Sequence, residues 1–229
     1  MSAVTPVTIL IATGNPGKAR EIEAVLGQAA DDAVHSDAAM SPSNIRWKTF
    51  KDFPPIPEPI EDADTFAANA ALKACYYSKA TGLWTLADDS GLEVDALGGQ
   101  PGVRSAYFAD EIPETAAREI RDPANNRKLI AMLKDVPAEK RTARFRCALS
   151  LADGDRILAT SEGAIEGVII DLPRGENGFG YDPHFLVPSL SQTTAEIESD
   201  HKNRISHRGQ ALSEMCRRLR TLLIIESQD

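Results

Sequence analysis

Apolar positions change their period several times along the chain, and each change marks an expected element. Residues 7–12 form a short continuous apolar run, read as a buried strand, which leads directly into Thr13, Gly14, Asn15, Pro16, Gly17 and Lys18. Beyond that turn Ala19, Ile22, Val25 and Leu26 recur on one helical face; Asn15 can cap the helix, Pro16 suits its first position, and Gly27 supplies a stop. No period is sustained over 31–59, which carries prolines at 42, 54, 55, 57 and 59, so an irregular excursion with a short extended piece is expected there.

A second helix, capped by Asp64 or Thr65, is expected to run to about Ala80 with Gly82 after it, placing Asn69 and Lys73 on one face. Residues 84–87 read as a buried strand ended by Asp88-Asp89-Ser90-Gly91, and Leu92, Val94 and Ala96 alternate with Glu93 and Asp95 as a second, half-exposed strand. Asp122-Pro123 opens a helix through Leu129, Ile130 and Leu133. Phe145, Cys147, Leu149 and Leu151 alternate as a strand, and Asp153-Gly154 turns it into a partner over 157–170. A loop over 173–183 contains Gly175, Gly178 and Gly180, and Leu212, Met215, Leu219 and Leu222 mark a closing helix. With no internal repeat and no convincing linker, the pattern describes one mixed α/β unit over 1–229, with two lobes around a cleft.

Composition narrows the partners. The 229 residues are 42% hydrophobic and 26% charged, values of an ordinary globular chain rather than a fibrous or disordered one. A formal charge of −9 offers no basic field for nucleic acid or a lipid surface, so an anionic ligand must meet a local cationic cluster or arrive with a metal ion. No apolar run approaches the roughly 20 residues of a membrane span, and none follows a basic leader with a cleavage site. Three widely spaced cysteines (Cys75, Cys147, Cys216) without a CxxC pair fit free thiols in a reducing cytoplasm.

Candidate chemistry collects at a few places. The turn at 13–18 joins a strand end to a helix N-terminus, where free N–H groups and the positive end of the dipole suit an anion; the alternative is a capped helix with a solvated lysine. It is not a P-loop, because only Asn15 and Pro16 separate its glycines and Ala19 follows the lysine. Lys18 carries the wrong sign for a first helical turn, and so do His207 and Arg208 at a second helix start capped by Ser206; a bound polyphosphate would resolve both conflicts. Asp88 and Asp89 at a strand end face opposite ways and supply hard oxygens of the kind Mg2+ takes together with substrate phosphates, with Glu61 and Glu93 as further candidates; an Asx-type turn is the plainer reading of Asp88. Lys73, on the packed face of its helix, must either snorkel out or meet an anion. Phe179, Gly180, Tyr181 and Asp182 combine flexible backbone, two rings and a carboxylate, a composition suited to stacking on a base and reading its edge, or to a hairpin loop with core aromatics. The four histidines (35, 184, 201, 207) lack metal-ligand spacing, which argues against zinc.

Taken in order, TGNPGK (13–18), NAALKA (69–74), ADDSGLEVDALGGQPGVRSA (87–106), GFGYDPHF (178–185) and HKNRISHRGQAL (201–212) resemble the inosine triphosphate pyrophosphatase family, the non-canonical purine NTP pyrophosphatases. The stretch 28–59 departs from the family pattern, being longer and richer in proline. The resemblance implies an α/β fold with a curved mixed β-sheet flanked by helices, two lobes with the active-site cleft between them, a homodimer, and Mg2+-dependent hydrolysis of ITP, dITP and XTP to the monophosphate and pyrophosphate. It further implies that 13–18, Lys73 and Lys202 hold the triphosphate, and that Asp89 is proton acceptor and Mg2+ ligand with Glu61 sharing the metal. Ser90 would touch substrate, while Phe179, Gly180, Tyr181, Asp182, His207 and Arg208 bind the base. Two rivals stand beside it: the related pyrophosphatases acting on dTTP and UTP, and a non-catalytic nucleotide-binding module, which would need no carboxylate pair beside a phosphate loop.

Overall fold

The computed structural model describes residues 6–33 and 45–226. The part of the irregular excursion at 34–44, with His35 and Pro42, lies outside the described residues. The remainder builds a mixed sheet of seven strands with helices beside it. The strands are β1 (Val7–Ala12), β2 (Ile45–Lys48), β3 (Trp84–Val94), β4 (Thr142–Asp153), β5 (Arg156–Ile169), β6 (Phe185–Val187) and β7 (Gln192–Thr193), in the spatial order β2-β1-β3-β4-β5-β6-β7. The helices are α1 (Pro16–Ala33), α2 (Phe66–Thr81), α3 (Arg118–Met132), α4 (Ser199–Ile205) and α5 (His207–Glu226). β1 pairs in parallel with β2 and β3, whereas β6 is antiparallel to β5 and β7. No helix among the described residues is long and apolar enough to cross a membrane.

Contacts divide the chain into two compact units, one from 1–89, 147–163 and 208–229, the other from 90–146 and 164–207. In the first, the alternation of a strand sorts the side chains of β1 onto two faces. Ile9 and Ile11 pack with Ile22 and Leu26 of α1 and with Leu212 and Met215 of α5. Leu10 and Ala12 pack with Ala74 and Tyr77 of α2. A parallel strand covered on both faces is largely apolar, which is why Thr8 is the one polar residue over 7–12. In the second unit, Leu129 of α3 and Leu133 just past its end pack with Phe145, Ile165, Ile169 and Phe185.

Several boundaries differ from expectation. α1 does not stop at Gly27 but continues to Ala33. A single glycine costs a helix only about 1 kcal/mol, and the Gln28-Ala29-Ala30 run that follows favours the helix. Residues 31–33 are therefore helical, while β2 supplies the short extended piece of the excursion. α3 opens at Arg118 rather than at Asp122-Pro123, and holds Pro123 inside it, where the missing N–H leaves one turn without its bond. α2 runs as expected, with Thr65 Oγ1 accepting from the Ala68 N–H and Gly82 closing it in the left-handed region at φ 68°.

The largest difference concerns 84–94. Two strands broken at Asp88-Asp89-Ser90-Gly91 were expected, and the structure has one strand of 11 residues that runs through all four. Asp88 thus lies within a strand rather than at a turn, and its carboxylate faces Lys18 and Arg208 while that of Asp89 faces Lys73. Gly91 is there for space, not for conformation. A Cβ at Gly91 would lie 2.3 Å from Ser105 Oγ and 2.7 Å from the Gly102 carbonyl, and that hydroxyl is held in place by the Leu92 N–H at 2.9 Å. Gly91→Ala is expected to destabilise the protein by about 1–3 kcal/mol in urea unfolding, through overpacking. An unchanged midpoint would show that the 102–105 segment yields freely.

Candidate active site

Around Lys18 the structure replaces a presumed ligand with protein. Asn15 caps α1, its Oδ1 accepting from the Gly17 N–H at 2.9 Å and the Lys18 N–H at 3.4 Å, and its own N–H donates to Thr13 Oγ1 at 3.2 Å. The helix-start donors expected to be free for an anion are thus engaged. What remains for a ligand is the other end of the cap: Asn15 Nδ2 is buried and has no acceptor among the described residues. An orphaned buried donor costs on the order of 1–3 kcal/mol, and an oxygen of a bound anion would remove that cost.

Lys18 Nζ lies 2.9 Å from Asp88 Oδ2, and Arg208 Nε 3.6 Å from the same oxygen, while Arg208 Nη1 is bonded to Glu21. Lys18 and Arg208, at the starts of α1 and α5, are therefore balanced by carboxylates within the first unit, so a bound polyphosphate is not needed to resolve their misplaced charge. Asp88 and Arg208 are nearly inaccessible, at 3% and 2% exposure. Burial alone would push the Asp88 carboxyl up, but Lys18, Arg208 and Lys73 outweigh it and hold the group well below the carboxylate range.

Asp89 points the other way along β3 and meets a different set. Asn69 Nδ2 donates to Asp89 Oδ2 at 3.2 Å, and Lys73 Nζ stands 3.5 Å from Oδ1 and 2.7 Å from Glu61 Oε2. Asn69 also forms a two-bond clasp with Ala63, accepting its N–H at 3.1 Å and donating to its carbonyl at 3.3 Å, which secures the segment that carries Glu61. Burial pushes the Asp89 carboxyl up, with Glu61 and Asp88 adding to the rise and Lys73 and Lys18 opposing it. Burial would lower the Lys73 ammonium, yet Asp89, Asp88 and Glu61 together raise it. Both groups therefore hold protons more tightly than usual, Asp89 chiefly because it is buried and Lys73 because three carboxylates surround it. Two carboxylates facing one ammonium are hard-oxygen donors that fit a divalent cation completed by phosphate oxygens. Among the described residues no group of three or more His, Cys, Asp or Glu gathers as a protein-only cage. Glu93 belongs to the second unit and faces Arg146 at 3.9 Å.

The second unit holds the loop over 178–182. Asp182 is buried: Oδ2 accepts from the Phe179 N–H at 2.8 Å and from Lys202 Nζ at 2.7 Å, and Oδ1 from Thr194 Oγ1 at 2.7 Å. Its carboxylate organises the loop, and Lys202, expected at the triphosphate, is its partner. Gly178, at φ 78°, is required twice over, since a Cβ would sit 2.0 Å from Asp182 Oδ2. Tyr181 is a core ring whose hydroxyl donates to the Ser105 carbonyl at 2.8 Å, so it is not a stacking surface. Phe179 is half-buried, with Lys202 Nζ 5.5 Å from its ring centre. His207 stacks on Phe145 at 5.0 Å with 17° between the planes, and Ser90 is half-buried in β3. Sequence reasoning missed Glu21 and gave Asn69 no role; the four-residue spacing of Asn69 and Lys73 was the available signal.

The Ham1 family model matches residues 9–218. The chain belongs to the Ham1 family. It is 44% identical over 216 residues to the dITP/XTP pyrophosphatase of Desulforamulus reducens, covering 94% of this chain and 97% of that one. To the dITP/XTP pyrophosphatase of an Exiguobacterium species it is 47% identical over 207 residues, 90% of this chain and 94% of that one. Among solved structures, a HAM1 protein from Coxiella burnetii superposes with a TM-score of 0.75 at 34% identity, covering 96% of this chain and 99% of that one. A nucleoside-triphosphatase / dITP/XTP pyrophosphatase from Mycobacterium abscessus gives 0.67 at 36% identity, over 91% and 97%. The mixed sheet flanked by helices is thus an α/β fold that Ham1 family proteins share.

The two neighbouring carboxylates should respond oppositely to neutralisation. Asp88→Asn, which takes the carboxylate from Lys18 and leaves Arg208 with Glu21, should lower the unfolding free energy by about 3–5 kcal/mol, whereas Asp89→Asn should leave it unchanged or raise it at neutral pH. The depressed carboxyl of Asp88 gives stability that is complete at neutral pH and is lost as pH falls below about 4, so Asp88→Asn should also flatten the acid limb. Equal unfolding curves for the two variants would remove the distinction drawn between them.

Proposed function

We propose that this chain hydrolyses non-canonical purine nucleoside triphosphates, ITP, dITP and XTP, to the monophosphate and pyrophosphate, clearing them from the nucleotide pool. The observation that carries the reading is the Glu61–Lys73–Asp89 arrangement, a carboxylate pair about one ammonium in a Ham1 family chain. The names of the relatives favour it over the dTTP/UTP alternative, and a silent binding module would have no use for a second buried carboxylate beside Asp88.

The chemistry follows from charge. Water attacking the α-phosphorus approaches a centre shielded by anionic oxygens, and Asp89, whose carboxyl is raised by burial, is suited to orient that water and accept its proton. Asn69 holds one Asp89 oxygen, leaving the other toward Lys73. Lys73 and Lys18 screen the phosphates and spread the charge of departing pyrophosphate, with Thr13, Gly14, Asn15, Pro16 and Gly17 lining the phosphate turn and Ser90 touching substrate. Asp89 and Glu61 would hold Mg2+, which supplies Lewis-acid stabilisation of phosphoryl oxygens when bound. Phe179 stacks on the base, and the backbone of 178–182 with His207 recognises its edge; Asp182, Lys202 and Tyr181 shape that segment. Arg208, tied to Glu21 and Asp88, keeps Asp88 ionised rather than reaching the base. A homodimer in the cytoplasm completes the proposal, supported by the family resemblance and by free Cys75, Cys147 and Cys216.

A nucleotide panel with Mg2+ should release pyrophosphate and monophosphate; orthophosphate with a diphosphate would overturn the reading. Asp89→Asn, while folded, should lose about 10²–10⁴-fold in turnover. Lys18→Ala and Lys73→Ala should each weaken turnover, and exposed Lys140→Ala should not. In the same panel ITP should exceed ATP in kcat/KM by as much as about 10⁴, because a site built to donate to a 6-oxo group is left unpaired by adenine. Equal values for ITP and ATP would refute the base preference alone.

A further inference from the structure

Three residues of α3 to which the sequence reading gave no part in binding all address the loop over 178–182. Arg118, Asp122 and Asn126 stand four residues apart, one stripe on the helix. Asp122 Oδ2 accepts from the Gly180 N–H at 3.1 Å, and Asn126 Nδ2 donates to the Gly180 carbonyl at 3.0 Å. Both polar ends of residue 180 are thus held from one helix. The Arg118 guanidinium lies over the Phe179 ring, 5.4 Å from its centre, with Nη1 3.7 Å from Asp122 Oδ2. Gly180 itself is in the left-handed region at φ 63°, a conformation a free glycine would leave readily.

We infer that Arg118, Asp122 and Asn126 are positioning residues for base recognition, a stripe that holds residue 180 by both backbone groups and Phe179 by its ring. The inference rests on the proposed base-binding role of that segment. Stacking is tolerant of which base is present, while discrimination comes from donors and acceptors at fixed places. A loop whose backbone supplies them discriminates only if it cannot shift, since a displacement of 1 Å is enough to lose about 10²-fold in rate. The Asp182–Lys202 pair restrains the loop at Phe179 N–H, and the α3 stripe restrains the next residue independently. Burial pushes the Asp122 carboxyl up despite Arg118 and the Gly180 N–H. An acid kept at that cost is kept for its geometry.

The test is steady-state kinetics with ITP and ATP on Asp122→Ala, Asn126→Ala, Asp122→Asn, Arg118→Met and Phe179→Ala, with melting curves to confirm folding. Each alanine variant of the stripe should raise KM for ITP by about three- to tenfold, the effect of one lost hydrogen bond, and lower the ITP-to-ATP ratio of kcat/KM, with kcat for ITP little changed. Asp122→Asn keeps an acceptor for the Gly180 N–H and should restore the wild-type ratio, which loss of mere stability would not distinguish. If Phe179→Ala shifts KM and the ratio while Asp122→Ala and Asn126→Ala do not, the inference fails and the base-segment reading survives. If Phe179→Ala also leaves both untouched, the reading of the segment fails and takes the inference with it. Should Asp122→Ala not fold, Arg118→Met decides: a raised KM supports the stripe, and a wild-type KM overturns it.

Discussion

A carboxylate can be carried into a protein interior only with a cation to meet it, and β3 carries two carboxylates side by side. Much of the first unit is arranged around that requirement. β1 ends so that α1 brings Lys18 to Asp88, and α5 begins with Arg208 at the same oxygen. α2 sets Asn69 and Lys73 one turn apart, so that one helix face meets Asp89 while reaching Glu61 and Ala63. The pleat of the strand keeps the two sets separate. One acid is fixed as a structural anion, and its neighbour is left with a weaker hold on its charge.

The loop of the second unit solves a smaller version of the same problem. Asp182 is neutralised by Lys202 and also ties down a backbone N–H and a hydroxyl, so these bonds of the carboxylate serve the loop's shape. The absence of a side chain at Gly178 is what lets the carboxylate approach. Charge neutralisation and loop geometry are here the same interaction.

Which parts of this were legible in the sequence follows from where the controlling contacts lie. The strand, turn and helix over 7–26 could be read because Asn15, Pro16 and the apolar period act within a few residues of one another. The Thr65 cap and Gly82 stop of α2 were local for the same reason. The continuity of β3 was not legible, since two acids and a glycine in succession imitate a turn unless their partners are known. Those partners are Asn69, Lys18 and Arg208, up to more than a hundred residues away. The stop at Gly27 was misread because a glycine is a weak veto when good helix formers follow. The role of the α3 stripe was hidden differently: polar residues at a spacing of four are the ordinary signature of a solvated face, and only the approach of residue 180 gives them another meaning.

The pairing of Arg208 with Glu21 spans 187 residues of chain. The first unit takes its last segment from 208 onward, whereas the second is complete at 207. On a ribosome, where the N-terminal part emerges first at about 5–20 residues per second, β3 is made long before the arginine that helps neutralise it. Until α5 arrives, Asp88 has Lys18 but not Arg208, and Ile9 and Ile11 of β1 lack the cover of Leu212 and Met215. The order of synthesis therefore makes the C-terminal helix the closing event of folding, and a chain shortened ahead of residue 208 would be left with one cation too few at Asp88 and one face of β1 uncovered.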